Sequence, residues 1–284
     1  MNKRIVISII TLCICLASPL STKIAFAANK SDYRLVYEES RDFDGTTKYF
    51  YTYDKETGNL MSVRRLDEDE DSLVEYSYDE EGREIKHTTH YKDGTTYKYE
   101  TEYETKGNTK IKRYYDIDNA TGNRSLSLID KATYSKGRLI RQKSYDYYGD
   151  STPSLNLTKY KYDKKGNLEK ELYYIRENGK WVLQNSEKNT YEKVDGKFCR
   201  TKSITKRKWF KGFVYHDHYR YNSHGDIEQV TTKKYQNGKY RPDLDETYYY
   251  KNKYDHAGNL IRTRVIKKGN RVYYYVHIYK WEKI

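Results

Sequence analysis

Tyrosines alternate with polar residues along most of this chain. One polar residue separates Tyr51 from Tyr53, and the same spacing recurs at Tyr76 and Tyr78. Side chains with a period of two lie on one face of a β-strand. No segment after the N-terminus keeps a 3.6-residue apolar period. The pattern therefore predicts strands, with few or no helices.

Sixteen glycines divide the chain into segments of strand length. Eight follow a Tyr-rich pattern seen at residues 160–168, namely Gly58, Gly82, Gly107, Gly137, Gly166, Gly196, Gly225 and Gly258. The other eight lie between them, mostly beside Asn or Asp: Gly45, Gly94, Gly122, Gly149, Gly179, Gly212, Gly238 and Gly269. Such residues supply the positive φ of tight hairpin turns. Allowing about four residues for each turn predicts about 16–18 antiparallel strands of roughly 8–12 residues.

An aspartate precedes several of these turns, at Asp54, Asp79, Asp163 and Asp255. A carboxylate at this position can accept hydrogen bonds from backbone amides across the turn. Glu104 and other residues take the same place elsewhere, so carboxylate chemistry is not required there. We interpret these aspartates as structural.

The repeated unit resembles a known family. Residues 51–60, 76–85, 160–168 and 252–261 look like the YD repeat of the Rhs family, and weaker copies lie between them. The chain is most similar to short secreted YD-like proteins of unknown function from gut Bacteroidetes. We therefore predict an all-β fold, an elongated and curved antiparallel meander of tandem hairpins. In such an array neighbouring repeats bury each other and the end strands are the weak points.

The N-terminus has the composition of a signal peptide. Lys3 and Arg4 precede an apolar run of about twelve residues, and a small-residue cleavage site ends at Ala27. We expect residues 1–27 to be removed and residues 28–284 to form one repeat domain, secreted or periplasmic, without a membrane span. The mature chain retains one cysteine, Cys199, which excludes an intrachain disulfide.

Charge is unevenly distributed along the mature chain. Residues 28–110 contain 13 basic and 21 acidic residues, whereas residues 111–284 contain 38 basic and 20 acidic ones. A basic region of this size can attract polyanions such as acidic glycans. The alternative is that its Lys and Arg side chains are the solvated faces of strands.

Catalytic and metal-binding patterns find little support. The sequence has no Ser-His-Asp, Cys-His or phosphate-loop pattern. His216 and His218 would share one strand face, which supplies two ligands at most. The acidic run at residues 67–71 lacks the spacing of a calcium loop. We predict no enzyme, no cofactor and no metal site.

Aromatic side chains are the better candidates for binding. The sequence indicates Trp181, Trp209, Tyr173, Tyr174, Tyr248 and Tyr250, which could stack on sugar rings. Alternatively, they pack across strands to hold a sheet that is poor in aliphatic residues. We expect a non-enzymatic binding or scaffolding protein whose partner is an acidic glycan, an envelope polymer or a surface protein, and not nucleic acid.

Two other classes remain open. A polysaccharide-active enzyme would require two carboxylates about 5–10 Å apart in an aromatic-lined cleft. A structural protein would self-associate through open edge strands.

Overall fold

The computed structural model describes residues 33–42, 45–147, 152–194, 196–210, 212–269 and 275–284. The expected signal peptide and Gly149 lie outside these ranges. The strands are β1 (Tyr33–Asp42), β2 (Gly45–Tyr53), β3 (Leu60–Leu66), β4 (Asp71–Tyr78), β5 (Glu84–Tyr91), β6 (Thr96–Lys106), β7 (Thr109–Ile117), β8 (Arg124–Ser135), β9 (Arg138–Asp146), β10 (Ser154–Tyr162), β11 (Leu168–Glu177), β12 (Lys180–Val194), β13 (Lys197–Arg207), β14 (Phe213–Tyr221), β15 (Ile227–Gln236), β16 (Lys239–Tyr240), β17 (Glu246–Tyr254), β18 (Leu260–Lys267) and β19 (Tyr275–Lys283). The described helical structure is one 3₁₀ turn, Pro242–Leu244.

The strands form a closed antiparallel barrel. Each strand pairs with the next in sequence, except that the two-residue β16 pairs only with β15 and the ring continues from β15 to β17. β1 pairs with β19, from Tyr33 opposite Lys283 to Arg41 opposite Val276. The ring therefore contains 18 strands. The all-β prediction is confirmed, but the elongated open meander is wrong, and so is the expectation of weak end strands, because the two ends pair with each other.

Regularly placed β-bulges account for the curvature that closes the ring. The ladders between β2 and β3 and between β4 and β5 each shift register at the last tyrosine of the first strand, Tyr53 and Tyr78. The same shift recurs at Tyr134, Tyr162, Tyr191, Tyr221 and Tyr254 in the ladders that these strands form with the next strand. A bulge bends its strand and increases the local twist. Repetition at one level of the sheet bends the meander in one direction until its ends meet.

The tyrosines at these bulges also define one end of the barrel, which we call the tyrosine rim. The Tyr78 hydroxyl donates to the carbonyl of Leu60 at 2.7 Å, and Tyr103 donates to that of Glu84 at 2.7 Å. Equivalent bonds join Tyr53 to Leu35, Tyr162 to Leu139, Tyr221 to Arg200 and the Trp281 indole to Leu260. Each bond satisfies a carbonyl near the end of the preceding strand. This explains why the repeat keeps an aromatic donor there.

The turns at the tyrosine rim have the predicted chemistry. Oδ1 of Asp163 accepts the backbone N–H groups of Lys165 and Asn167, at 2.9 and 2.8 Å. Gly166 follows with φ of 91°, in the region that favours glycine. The aspartates of these turns are therefore structural.

Alternation along the strands gives the barrel two walls. Tyr51, Tyr160 and Tyr219 lie on one wall, and burial raises the pKa of all three. Residues on the other wall, such as Phe50 and Lys159, are exposed. We assign the tyrosine-rich wall to the inside of the barrel. Eighteen strands about 4.8 Å apart have a perimeter of roughly 86 Å, and a circle of that perimeter is about 27 Å across between backbones. Barrels of 16–18 strands are wide enough for an aqueous lumen.

Candidate functional site

The six aromatic residues indicated by the sequence do not converge on one site. Tyr173 and Tyr174 are consecutive in β11, so their side chains point to opposite walls. Tyr248 and Tyr250 lie on the inner wall of β17, five strands away. Trp209 lies in the turn that follows β13.

Tyr174 and Trp181 do come together, on the outer wall. Tyr174 is opposite Leu183, and Trp181 is the next outward residue of β12 towards the turn. Leu157 of β10 lies on the other side of Tyr174 and is buried. The exposed fractions of Trp181 and Leu183 are 37% and 43%. These side chains form an outer apolar patch near the end of the barrel opposite the tyrosine rim.

Lysine ammonium groups lie over the aromatic rings of this region. Lys143 is 5.7 Å from the ring centroid of Trp181 and 4.8 Å from that of Tyr145. Lys159 is 5.3 Å from that of Tyr174. A hydrogen bond from Lys143 is the main cause that lowers the pKa of the Tyr145 phenol. The patch therefore combines exposed ring edges with positive charge.

The patch belongs to a wider positively charged surface, the basic wall, which is the outer wall of β9–β15. Its outward cations and histidines include Arg141 and Lys143 of β9, Lys159 and Lys161 of β10, Lys170 and Arg176 of β11, Lys188 of β12, Lys202 and Lys206 of β13, His216, His218 and Arg220 of β14, and Lys233 of β15. Outward carboxylates on these strands lie only near the rims in the described part of the chain, at Glu169, Glu192 and Glu228. Burial and the charge of Lys202 lower the pKa values of both histidines.

Like charges stand directly opposite one another in the basic wall. Lys170 of β11 is paired across the sheet with Lys161 on one side and Lys188 on the other. Lys161 makes an ion pair with Glu169 at 2.9 Å. Among the described residues, no carboxylate lies within ion-pair distance of Lys170 or Lys188. Directly opposed like charges destabilise a sheet.

The outer wall of the N-terminal strands is different. Several of its cations are paired with acids, as in Arg64 with Asp71 at 2.8 Å and Arg124 with Glu102 at 2.7 Å. The charge asymmetry of the sequence therefore becomes two sides of one barrel, one electrostatically balanced and one basic.

The inner wall holds carboxylates among its tyrosines. Burial raises the pKa values of Asp130 and Asp146, whose carboxylates accept hydrogen bonds from Ser144 and Asn156 respectively. Glu171 and Glu187 are direct cross-strand partners, and burial, followed by the charge of Glu187, raises the pKa of Glu171 to about 6. Arg200 binds Glu187 at 2.8 Å. Sequence reasoning missed this pair, because only the bulged registers bring the two glutamates opposite each other.

The remaining candidates from the sequence have local partners. The acidic run is a turn in which Arg65 binds Asp67 and Glu70, both at 2.7 Å. The His216 ring lies 4.4 Å from that of Tyr235. In the described ranges, no three His, Cys, Asp or Glu side chains are grouped so that they could hold a metal ion. Cys199 is half-buried in β13.

None of the helical structure in the described ranges is long and apolar enough to cross a membrane. No family model matches the chain, and no curated protein matches it. Solved structures are similar to it, among them two from Bacteroides. One is a porin-like protein from Bacteroides uniformis ATCC 8492, with 13% identity and a TM-score of 0.45, covering 87% of this chain and 98% of that one. The other is a porin-like protein from Bacteroides vulgatus ATCC 8482, with 10% identity and a TM-score of 0.41, covering 73% of this chain and 93% of that one.

The ring closed by the pairing of β1 with β19 is not the elongated array that the repeat implied. The identification with the YD-repeat, Rhs-like family is corrected accordingly: the described strands form a closed 18-strand barrel.

Proposed function

We propose that this protein is a non-enzymatic binding protein that acts outside the cytoplasm, and that the basic wall holds an anionic polysaccharide. The opposed Lys161, Lys170 and Lys188 carry the proposal. An anionic polymer lying across the three strands would relieve their mutual repulsion, whereas a solvated face gains nothing from that arrangement.

The outer apolar patch favours a polysaccharide as the polymer. The exposed ring of Trp181 can contact the C–H face of a sugar, while Lys143 and Lys159 are placed to meet its acidic groups. The basic wall spans seven strands, about 29 Å at a spacing of about 4.8 Å. An extended chain can therefore contact several lysines and the patch together.

We expect the basic wall to face water. Lys159, Lys188 and Lys202 occupy the middle of their strands. A lipid-spanning barrel has an apolar band at that level, where each outward lysine would cost about 2–4 kcal/mol. Secretion through the expected signal peptide would bring this wall into contact with envelope or extracellular polymers.

The proposal is tested by retention of the purified mature chain on immobilised heparin and polygalacturonate, with dextran as the neutral control, over a salt series. We expect retention on the two anionic polymers that falls as salt rises, since the screening length at 0.15 M is about 8 Å. The double substitution Lys143→Gln with Lys159→Gln should weaken binding about tenfold. Lys98→Gln is the matched control, because Lys98 is an outward lysine of β6 that lies opposite Thr88 and Ile117.

Equal retention of both variants, or retention on dextran that ignores salt, would overturn the proposal. Tighter binding of duplex DNA than of either polysaccharide would assign the wall to nucleic acid instead. Point substitutions are needed here, because a half-chain fragment loses the pairing of β1 with β19.

A second candidate function is glycoside hydrolysis inside the barrel. The specific observation is the Glu171–Glu187 pair, since carboxyl groups of cross-strand partners can approach the separation of about 5–5.5 Å that retaining glycosidases use. Glu171 with its raised pKa would be the general acid, and Glu187, kept ionised by Arg200, the nucleophile. Release of reducing ends from a polysaccharide, abolished by both Glu171→Gln and Glu187→Gln, would support it. No release from a panel of acidic and neutral glycans would reject it.

A further inference from the structure

Exposed aromatic side chains are concentrated at the end of the barrel opposite the tyrosine rim. The turn after β13 carries Trp209 and Phe210, whose exposed fractions are 58% and 44%, and β16 carries Tyr240 at 43%. We call these three residues the aromatic rim. Trp209 is the most exposed large aromatic side chain of the described residues.

The aromatic rim is held together by its backbone. The N–H of Asn237, in the turn between β15 and β16, donates to the carbonyl of Gly212 at 2.7 Å, which joins the two turns. The N–H of Lys208 donates to the carbonyl of Gln184 at 2.7 Å and anchors the first turn to β12. Trp209 and Phe210 are therefore presented by a braced pair of hairpins.

Other rings lie directly beneath the aromatic rim. The Phe210 ring contacts that of Tyr215 edge to face, with centroids 6.2 Å apart, and the Tyr240 ring lies 5.3 Å from that of Tyr235. These contacts fix the inner edges of the rings and leave the outer edges exposed. The side chains of Phe210 and Tyr240 are thus largely ordered before any partner binds.

Cations lie beside the aromatic rim, together with carboxylates: the Tyr240 hydroxyl donates to Asp245, and Lys208 binds Glu177 at 2.9 Å. Arg207 lies 6.0 Å from the centroid of Tyr215, and Lys233 lies 5.9 Å from that of Tyr240. Lys206 and Lys239 are exposed beside the same turns. This combination of aromatic rings with neighbouring Lys and Arg side chains suits the interface of an anionic membrane. There the rings enter the headgroup region and the cations contact lipid phosphates.

The tyrosine rim has a different character. Its turns begin with carboxylates such as Asp54, Asp79 and Asp163, and the hydroxyls of Tyr78 and Tyr103 are bonded to backbone carbonyls. The same turns also carry Lys55, Arg83, Lys164 and Lys165, but the rings of Tyr78 and Tyr103 are half-buried, so that end presents fewer exposed rings to a membrane. The two ends of the barrel are therefore not equivalent.

We propose that the aromatic rim docks the barrel onto the surface of an anionic lipid membrane, with Trp209 and Phe210 in the headgroup region and the barrel walls outside the bilayer. This contact uses the end of the barrel, whereas the polysaccharide site uses the middle of the basic wall; Lys206 and Lys233, near the end of that wall, are common to both. Attachment at the rim leaves Lys159 and Lys188 accessible to a polymer.

The test is flotation of the mature chain with vesicles of phosphatidylglycerol and phosphatidylcholine, compared with pure phosphatidylcholine. We expect binding to the anionic vesicles only, weakened at least tenfold by the double substitution Trp209→Ser with Phe210→Ser. Phe50→Ser is the matched control, because Phe50 is a similarly exposed ring, 39%, on the outer wall of β2. Brominated lipids should quench tryptophan fluorescence in the wild type, and the Trp209→Phe variant should lose most of that quenching.

Three results would overturn the proposal. The first is equal flotation of the rim variant and the wild type. The second is protection of the wall lysines from trypsin in vesicle-bound protein, which would indicate a barrel that spans the bilayer. The third is a wild-type dimer in sedimentation that the rim substitutions dissociate while vesicle binding is unchanged, which would make the rim a contact between copies of the chain.

Discussion

Replacing Lys170 with Gln is expected to stabilise the protein, although lysine is a normal residue for an exposed strand. Lys170 lies between Lys161 and Lys188 in the ladders of β10, β11 and β12. Adjacent strands are about 4.8 Å apart, so parallel lysine side chains on one face place their ammonium groups roughly 6 Å apart. At that separation two unit charges in water repel by about 0.7 kcal/mol before screening.

Two such pairs meet at Lys170, and the ion pair of Lys161 with Glu169 offsets part of one of them. We therefore expect Lys170→Gln to raise the free energy of unfolding by about 0.5–1 kcal/mol at 0.01 M ionic strength, where the screening length is about 30 Å. The gain should fall to nearly zero at 1 M, where that length is about 3 Å. The same variant should bind heparin more weakly, so stability and binding change in opposite directions.

Urea denaturation at the two ionic strengths measures the first effect, and thermal melting should show a shift of about 1–3 °C. Lys98→Gln is the control and should give no salt-dependent gain. A Lys170→Gln protein that is no more stable than the wild type at low salt would refute the reasoning. So would a gain that persists at 1 M, since it would then not be electrostatic.

Three further predictions follow from other parts of the barrel. Glu171 binds its proton more tightly in the folded chain than in the unfolded chain, with a pKa of about 6 against 4.5, so its contribution to stability falls as pH rises from 4.5 to 6. Glu171→Gln should remove that fall and add about 1 kcal/mol to the free energy of unfolding at pH 7–8, measured by urea titration. A variant with an unchanged pH profile of stability would contradict this. Tyr103→Phe should lower the free energy of unfolding by about 1 kcal/mol, because the Glu84 carbonyl loses its hydrogen-bond donor. Tyr97→Phe, at an exposed ring, should leave stability unchanged; thermal melting measures both variants. Cysteines replacing Arg41 and Val276 in a Cys199→Ser background should form an intrachain disulfide under mild oxidation, detected by mass spectrometry; only intermolecular products would indicate an open sheet.

The local structure of this protein follows closely from its sequence. Tyrosines at a period of two specify strands, and Gly166 with its neighbours specifies a turn, because both depend on contacts within a few residues. The preference of Asp163 for the turn amides is equally local. These features were predictable without knowing where any strand lies in the molecule.

Grouping of the candidate residues was less predictable. Trp181 and Tyr174 meet on the outer wall because β11 and β12 pair through a register shift, and the same shift determines which residues of β12 face outward. Glu171 and Glu187 are 16 positions apart and become partners through that ladder alone. A one-residue slip would move every side chain of a strand to the other wall.

Closure was decided by the tertiary structure. The sequence by itself determined a chain of antiparallel hairpins, an aromatic donor at the end of alternate strands and a basic C-terminal region. Whether such a meander stays open depends on the curvature added by bulges at residues such as Tyr53, Tyr78 and Tyr162, each too small a bend to show in a local pattern. Summed around 18 strands, those bends bring β1 to β19, separate an inner from an outer wall, and convert a charge gradient along the chain into a basic surface on one side of a barrel.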